Sequence, residues 1–248
     1  MSLKLEGHTM QRYNGELNNL HLKVMEMGSL VLDQARQALT TLKTKDISEA
    51  EKVVEREEKA HELELAIDDA IITIIAKRAP VARDLRVIMS MSKALTELER
   101  IGDEAVRIAN IGKGLYQSEH SQPGNALLRD VTNMGRLALE MLQESLESFD
   151  SLNAGHANAL VCRENELDLE FQSSLRRLAT FLLEDARNVG HSIHIVLLTK
   201  AIERIGDHAR NIAEYVIYIV RGEDVRHRLS SYCDSAKTTS ESVQISKH

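Results

Sequence analysis

The sequence predicts an all-α protein built as two tandem, pseudo-symmetric three-helix bundles, six long helices in total. Three observations carry this prediction. Of 248 residues only two are proline, aromatics make up 3%, and tryptophan is absent. Such a composition, rich in Leu, Ala, Glu and Arg, favours helix over sheet. Apolar residues recur at spacings of three and four over long stretches, which draws a single apolar stripe on each segment. Finally, the string E-R-I-G-D-x-A-x-x-I-A occurs twice, starting at Glu99 and at Glu203, with eight of eleven positions identical. A match that long is not chance, so the chain holds two copies of one unit.

The elements follow in order. A first helix is predicted from about Thr9 to Lys43, with its stripe at Leu17, Leu20, Val24, Met27, Val31, Ala35, Ala38 and Leu42. Asp46 followed by Glu49 has the form of a capping box and opens a second helix through Ile67, Ile71 and Ile74. Pro80 ends it, because proline lacks the amide donor a helix interior needs. A third helix from Val81 to Tyr116 carries Leu85, Ile88, Leu95, Leu98, Ile101, Ile108 and Ile111, and Met25, Met27, Met89 and Met91 fall at core-like spacing. Gln117 to Asn125, with Ser, Gln, Pro and Gly, reads as the link between halves. The second half repeats the plan with helices from Pro123 to Leu152, from His156 to Leu183 and from Asn188 to Arg221, and Gly222 as a C-terminal stop. The first repeat therefore spans residues 8–117 and the second 123–228. Residues 229–248 are rich in Ser, Thr and Lys without a period, and read as a flexible tail. Helices of about 30 residues are roughly 45 Å long, which suits antiparallel bundles with short turns.

Charge and cysteine usage narrow the class. A net charge of −7 argues against a nucleic-acid partner, which calls for a basic face. Cys162 and Cys233 form neither a disulfide framework nor a CxxC metal site, and a reducing compartment is the natural reading. The most apolar run, Ala70 to Ala76, is far below the ~20 residues that span a bilayer. Met1 to Met10 lacks the pattern of a signal peptide. The expected location is the cytoplasm.

The candidate chemistry lies in the repeated strings. Each places a Glu and an Asp one helical turn apart, Glu99 with Asp103 and Glu203 with Asp207, and Asn211 extends the second stripe. Like charges at that spacing repel by roughly 0.2–0.5 kcal/mol, so a pair present in both copies calls for a compensating partner. The middle helices carry a similar spacing, Glu57 with His61 and Glu164 with Asp168, with Glu57 and Glu164 lying 42 and 39 residues before the repeated strings. Two neighbouring helices with such pairs can form an oxygen-rich four-ligand site for divalent ions or Fe³⁺, and because carboxylates can bridge ions, for more than one metal. His61 adds an affinity for zinc or iron. The second set, wholly acidic, is the better expected site. The alternative is a solvated acidic face with Arg100, Arg107, Arg204 or Arg210 as counter-charges. Gly102 and Gly206, at a cost of about 1 kcal/mol each relative to Ala, fit either reading. His191 and His194 read as surface or cap residues. No phosphate loop or nucleophile elbow is present.

Together with the repeated strings, Tyr13-Asn14-Gly15-Glu16-Leu17, Val24-Met25-Glu26-Met27-Gly28 and Ala79-Pro80-x-x-x-Asp84-Leu85-Arg86 resemble the PhoU family of phosphate-uptake regulators over residues 8 to 228. The resemblance implies a cytoplasmic, non-enzymatic negative regulator of phosphate uptake and of the phosphate-starvation response. Such a regulator acts between the ATPase of the phosphate ABC transporter and the sensor histidine kinase, and reaches the membrane only through those partners. It further implies a homodimer and metal on the E(D)-x-x-x-D motifs (Fe, Zn, Mn, Mg or Ni). Carried over, the ligands are Glu57, His61, Glu99 and Asp103 in one half and Glu164, Asp168, Glu203 and Asp207 in the other. His61 stands where the family usually has an acid. A metal-free helical scaffold and a di-metal helical enzyme are the alternative readings.

Overall fold

The computed structural model describes residues 11–117, 125–163, 165–184, 189–226 and 233. Its helices are α1 (Gln11–Thr44), α2 (Ile47–Arg78), α3 (Ala82–Gln117), α4 (Asn125–Ser151), α5 (Ala154–Cys162), α6 (Asn165–Glu184) and α7 (Val189–Arg221). They form six rods, the fifth divided into α5 and α6. α1, α2 and α3 pack together as one bundle and α4, α5–α6 and α7 as the other; the bundles meet where α3 lies on α7 and α1 on α4. No described helix is long and apolar enough to cross a membrane. The link and most of the tail lie outside the described residues.

The apolar stripe of α1 is buried at every expected position from Leu17 to Leu42. The α1–α4 contact repeats itself about the internal twofold: a Cβ on Gly28 would meet Leu146, and one on Gly135 would meet Leu39. α2 opens on Asp46, whose carboxylate accepts from the Ser48 amide at 2.9 Å. The reciprocal half of the expected capping box is absent, because Glu49 accepts instead from Lys52 at 2.5 Å and from Gln37. α2 ends one turn after Ile74. Ala79 turns left-handed (φ 45°) and donates its amide to Ile75 O at 3.0 Å, which directs the chain into Pro80.

Three expectations are corrected. The predicted rod from His156 to Leu183 starts at Ala154, because Asn153 caps it by accepting from the amides of Gly155 and His156. It is interrupted after Cys162, where the Arg163 amide closes back on Ala159 and Leu160. Second, Cys162 and Cys233 are joined as a disulfide, Cα to Cα 5.6 Å. Pairing requires Cα atoms within about 4.4–6.8 Å, a proximity across 71 residues that only the fold creates. Third, Leu85 and Met89 are exposed along with Val81, while Ile88, Met91 and Leu95 are buried. Leu85 and Met89 fall on the side of α3 away from the buried Val87, Ile88 and Met91. The equivalent residues of α7, Val189 and Ile193, are exposed too.

The α3–α7 contact holds a polar cluster. Glu97 is 5% exposed and accepts from His208 Nδ1 at 2.7 Å, Asn211 Nδ2 at 3.1 Å and the Tyr215 hydroxyl at 3.1 Å. Two turns along α3, Arg204 Nη1 meets the buried Glu104 at 2.6 Å. Burial pushes the Glu97 carboxyl up, but the three donors outweigh it and hold it below its ordinary value of 4.5. Burial and the neighbouring Glu97 push Tyr215 up to about 12. A lowered carboxyl pKa contributes stability that is full above the unfolded value and is lost as pH falls through the folded one. Glu97→Ala should therefore cost about 3 kcal/mol in chemical denaturation at pH 7, since the buried His208 and Tyr215 and the half-buried Asn211 lose their acceptor. Glu97→Gln should flatten the acid limb of the stability curve below about pH 4.5. A cost under 1 kcal/mol for the alanine variant would remove the cluster from the forces joining the halves.

Candidate metal centre

The two repeated strings lie on α3 and α7, and their third residues, Ile101 and Ile205, are fully buried. That orientation turns Glu99 and Asp103 towards α2, and Glu203 and Asp207 towards α6.

In the first half, four expected residues share one neighbourhood. Glu57 is partly buried, with its carboxylate oxygens 3.7 and 3.8 Å from where a Cβ on Gly102 would stand. His61 Nδ1 lies 2.9 Å from the Glu57 carbonyl and 3.9 Å from its carboxylate. With Nδ1–H donating to the carbonyl, Nε2 carries the lone pair, the tautomer metal-ligating histidines use. Glu99 is held above its ordinary value by burial first, then by the charges of Asp103 and Glu64, with Arg100 and His61 opposing. His61 is raised by the Glu57 carbonyl first, then, against burial, by Glu57, Glu64 and Asp103. Two participants lie outside the E-x-x-x-D pattern. Glu64 adds a carboxylate from α2. Gln34 of α1 is fully buried, and its amide nitrogen donates to Val53 O at 3.0 Å and to Glu57 Oε2 at 2.7 Å. Its Oε1 has no protein hydrogen-bond partner and lies 3.6 Å from the Gly102 Cβ position. Gln34 sits one turn from Val31 and Ala38 on the buried side of α1, where the polar His21 and Thr41 also lie, so nothing in its spacing sets it apart.

In the second half, the Asp207 carboxyl is raised by burial first, then by the charges of Glu203 and of Asp168 on α6, against Arg210 and Lys200. Glu164 lies outside the described residues. Basic side chains reach both acids of the string: Lys200 Nζ is 2.5 Å from Glu203, and Arg210 Nη2 is 3.5 Å from Asp207. A Cβ on Gly206 would stand 2.2 Å from Leu167 Cδ2 and 3.5 Å from Met141 Sδ. Motif distance had matched Glu57 with Glu164; in space the residue above the second glycine is Leu167, three positions later, because the division between α5 and α6 changes the register.

Among the described residues, no three His, Cys, Asp or Glu side chains converge closely enough to hold an ion as they stand. The carboxylates cluster without closing. Of the arginines expected as counter-charges, Arg107 and Arg204 pair with Glu104 rather than with the motif acids, and Arg210 serves Asp207 and Glu214. A cleft of about 290 Å³ between α1 and α4, walled by Arg36, Lys43, Arg136, Glu140, Gln143 and smaller polar and apolar residues, contains none of the motif residues.

Raised carboxyl pKa values have the opposite linkage to that of Glu97. Their ionisation destabilises the fold as pH rises from the unfolded value through the folded one, and the penalty persists at neutral pH. Without added metal, Glu99→Gln should raise the melting temperature at pH 7 and lose that advantage below pH 4. A variant that melts lower than wild type at pH 7 would show that Glu99 is held by favourable contacts instead.

The PhoU domain model matches this chain twice, over residues 24–112 and 131–216. The phosphate-specific transport system accessory protein PhoU of Escherichia coli is 36% identical over 226 residues, covering 91% of this chain and 92% of that protein. Its homolog in Pseudomonas aeruginosa is 38% identical over 223 residues, 90% of this chain and 91% of that one. The crystal structure of PhoU from Pseudomonas aeruginosa superposes with a TM-score of 0.80 at 37% identity, over 85% of this chain and all of that one. The phosphate transport system regulatory protein PhoU from Streptococcus pneumoniae superposes at 0.78 and 26% identity, over 86% of this chain and 99% of that one.

Proposed function

The chain belongs to the PhoU family, and from that premise we propose that it is a negative regulator of phosphate uptake and of the phosphate-starvation response. It acts in the cytoplasm as a non-enzymatic adaptor between the ATPase of the phosphate ABC transporter and the sensor histidine kinase. The observation that carries this reading is the match of both halves at once, over nine-tenths of the chain, to accessory proteins of phosphate transport.

The form of the molecule suits an adaptor. Long rods expose extended polar faces, and the apolar residues Leu85 and Met89 of α3 and Val189 and Ile193 of α7 stand out at equivalent places in the two halves. Apolar side chains left exposed in contiguous groups are contact surface, and we assign them to partners and to a second copy of the chain. The acidic motifs enter the proposal as sites for a divalent or ferric ion. The first-half residues fit such an ion: an unpartnered buried amide oxygen, a carboxylate beside it and a histidine with Nε2 free to coordinate. The ion would cancel the repulsion among Glu57, Glu64, Glu99 and Asp103 and tie α2 to α3.

Deleting the gene should release a phosphate-starvation reporter in phosphate-rich medium, and the purified chain should capture both the transporter ATPase and the kinase in a pull-down. Continued repression in the deletion strain, with capture of neither partner, would sink the adaptor reading.

A further inference from the structure

The two halves differ at one set of equivalent positions. The glycines of the repeated strings, Gly102 and Gly206, are 104 residues apart. Facing Gly102 are Gln34 and Glu57; facing Gly206 are Met141 and Leu167. Gln34 and Met141 are 107 residues apart, the same offset that relates Gly28 to Gly135 and Leu39 to Leu146 in the α1–α4 contact. The floor of the site is polar in one half and apolar in the other.

The flanking charges differ in step. Lys200 and Arg210, which reach Glu203 and Asp207, correspond through the same 104-residue offset to Thr96 and Val106. The acids of the second half have basic neighbours on their own helix, and those of the first have neutral residues in the same places.

Resting on the reading that the acidic motifs bind metal, we propose that the repeats have diverged: the first half takes a hard divalent cation with the Gln34 amide oxygen among its ligands, and the second half takes none. Gln34 is fully buried, and both bonds of its amide nitrogen aim the oxygen away from Val53 and towards the space above Gly102. A buried oxygen without a donor is costly, and beside a carboxylate a cation satisfies both groups where another anion would not. Neutral amide and carboxylate oxygens are ligands of hard ions. In the second half Leu167 fills the corresponding space, and a thioether and an isobutyl group offer a hard ion nothing. Gly206 there serves close packing, whereas Gly102 keeps a passage open between a helix backbone and two oxygen-bearing side chains.

The test is Mn²⁺ titration of chelator-stripped full-length protein, with free Mn²⁺ followed by electron paramagnetic resonance and melting temperature in parallel. The expected result is saturable binding that Glu203→Ala/Asp207→Ala leaves unchanged and that Gln34→Met weakens at least tenfold. Gln34→Asn, which keeps an amide but shortens its reach, serves as a milder variant, with circular dichroism confirming that each protein is folded. Transplanting the first-half pattern (Met141→Gln, Leu167→Glu, Lys200→Thr, Arg210→Val) should add a second site. Loss of binding in the Glu203/Asp207 variant, or unchanged binding in folded Gln34→Met, would overturn the divergence while leaving metal binding intact. Failure of wild type to bind Mn²⁺ would overturn both.

Discussion

Everything in this molecule is arranged around the contact of α3 with α7, where charged groups have been taken out of water and must find partners there. Glu97 and Glu104 are buried, and a carboxylate in that setting is tolerated only when donors surround it. His208, Asn211 and Tyr215 do so for Glu97, and Arg204 does so for Glu104. Apart from Arg107, which reaches Glu104 from the same helix, these donors come from the opposite half of the chain. Each bundle thus depends on the other to satisfy its buried polar groups, and that dependence specifies how the two copies sit against each other.

The same constraint assigns a role to each face of the repeated helices. Ile101 and Ile205 point into the core, residues 97, 104, 204, 208 and 211 meet across the two halves, and the Glu–Asp pairs face the middle rods. The acids that repel one another are those left on the outer face, where burial and neighbouring charge hold Glu99 and Asp207 above their ordinary values. The two halves differ in what stands beside those acids. The second half supplies Lys200 and Arg210; the first has uncharged residues at those positions and an unsatisfied buried amide oxygen instead. Duplication produced one scaffold twice, and local substitutions then gave the two copies different electrostatic solutions.

The helical plan was readable because periodicity is a local property. Every stripe position named on α1 is buried, and Asp46 and Pro80 mark the ends of elements as their chemistry requires. Reading failed where the outcome depended on something distant in sequence. Leu85 and Met89 lie on a side of α3 that stays exposed, while Val87 and Ile88 beside them are fully buried. Cys162 and Cys233 pair because the fold brings residue 233 to the division between α5 and α6. For the candidate site, Glu57, His61, Glu99 and Asp103 were legible from spacing and do share one neighbourhood. Gln34 was not, since it belongs to a third helix that carries no acidic motif.

By itself the sequence determined the helical class, the duplication, the order of the rods and the acid pairs, because each is written in residue spacing along one helix. The tertiary structure alone decided what stands above each repeated glycine. Gly102 and Gly206 occupy identical strings, yet one faces Gln34 and Glu57 and the other Met141 and Leu167. That difference is invisible along the chain, because it arises where three rods meet and the register between rods is set by packing rather than by motif distance.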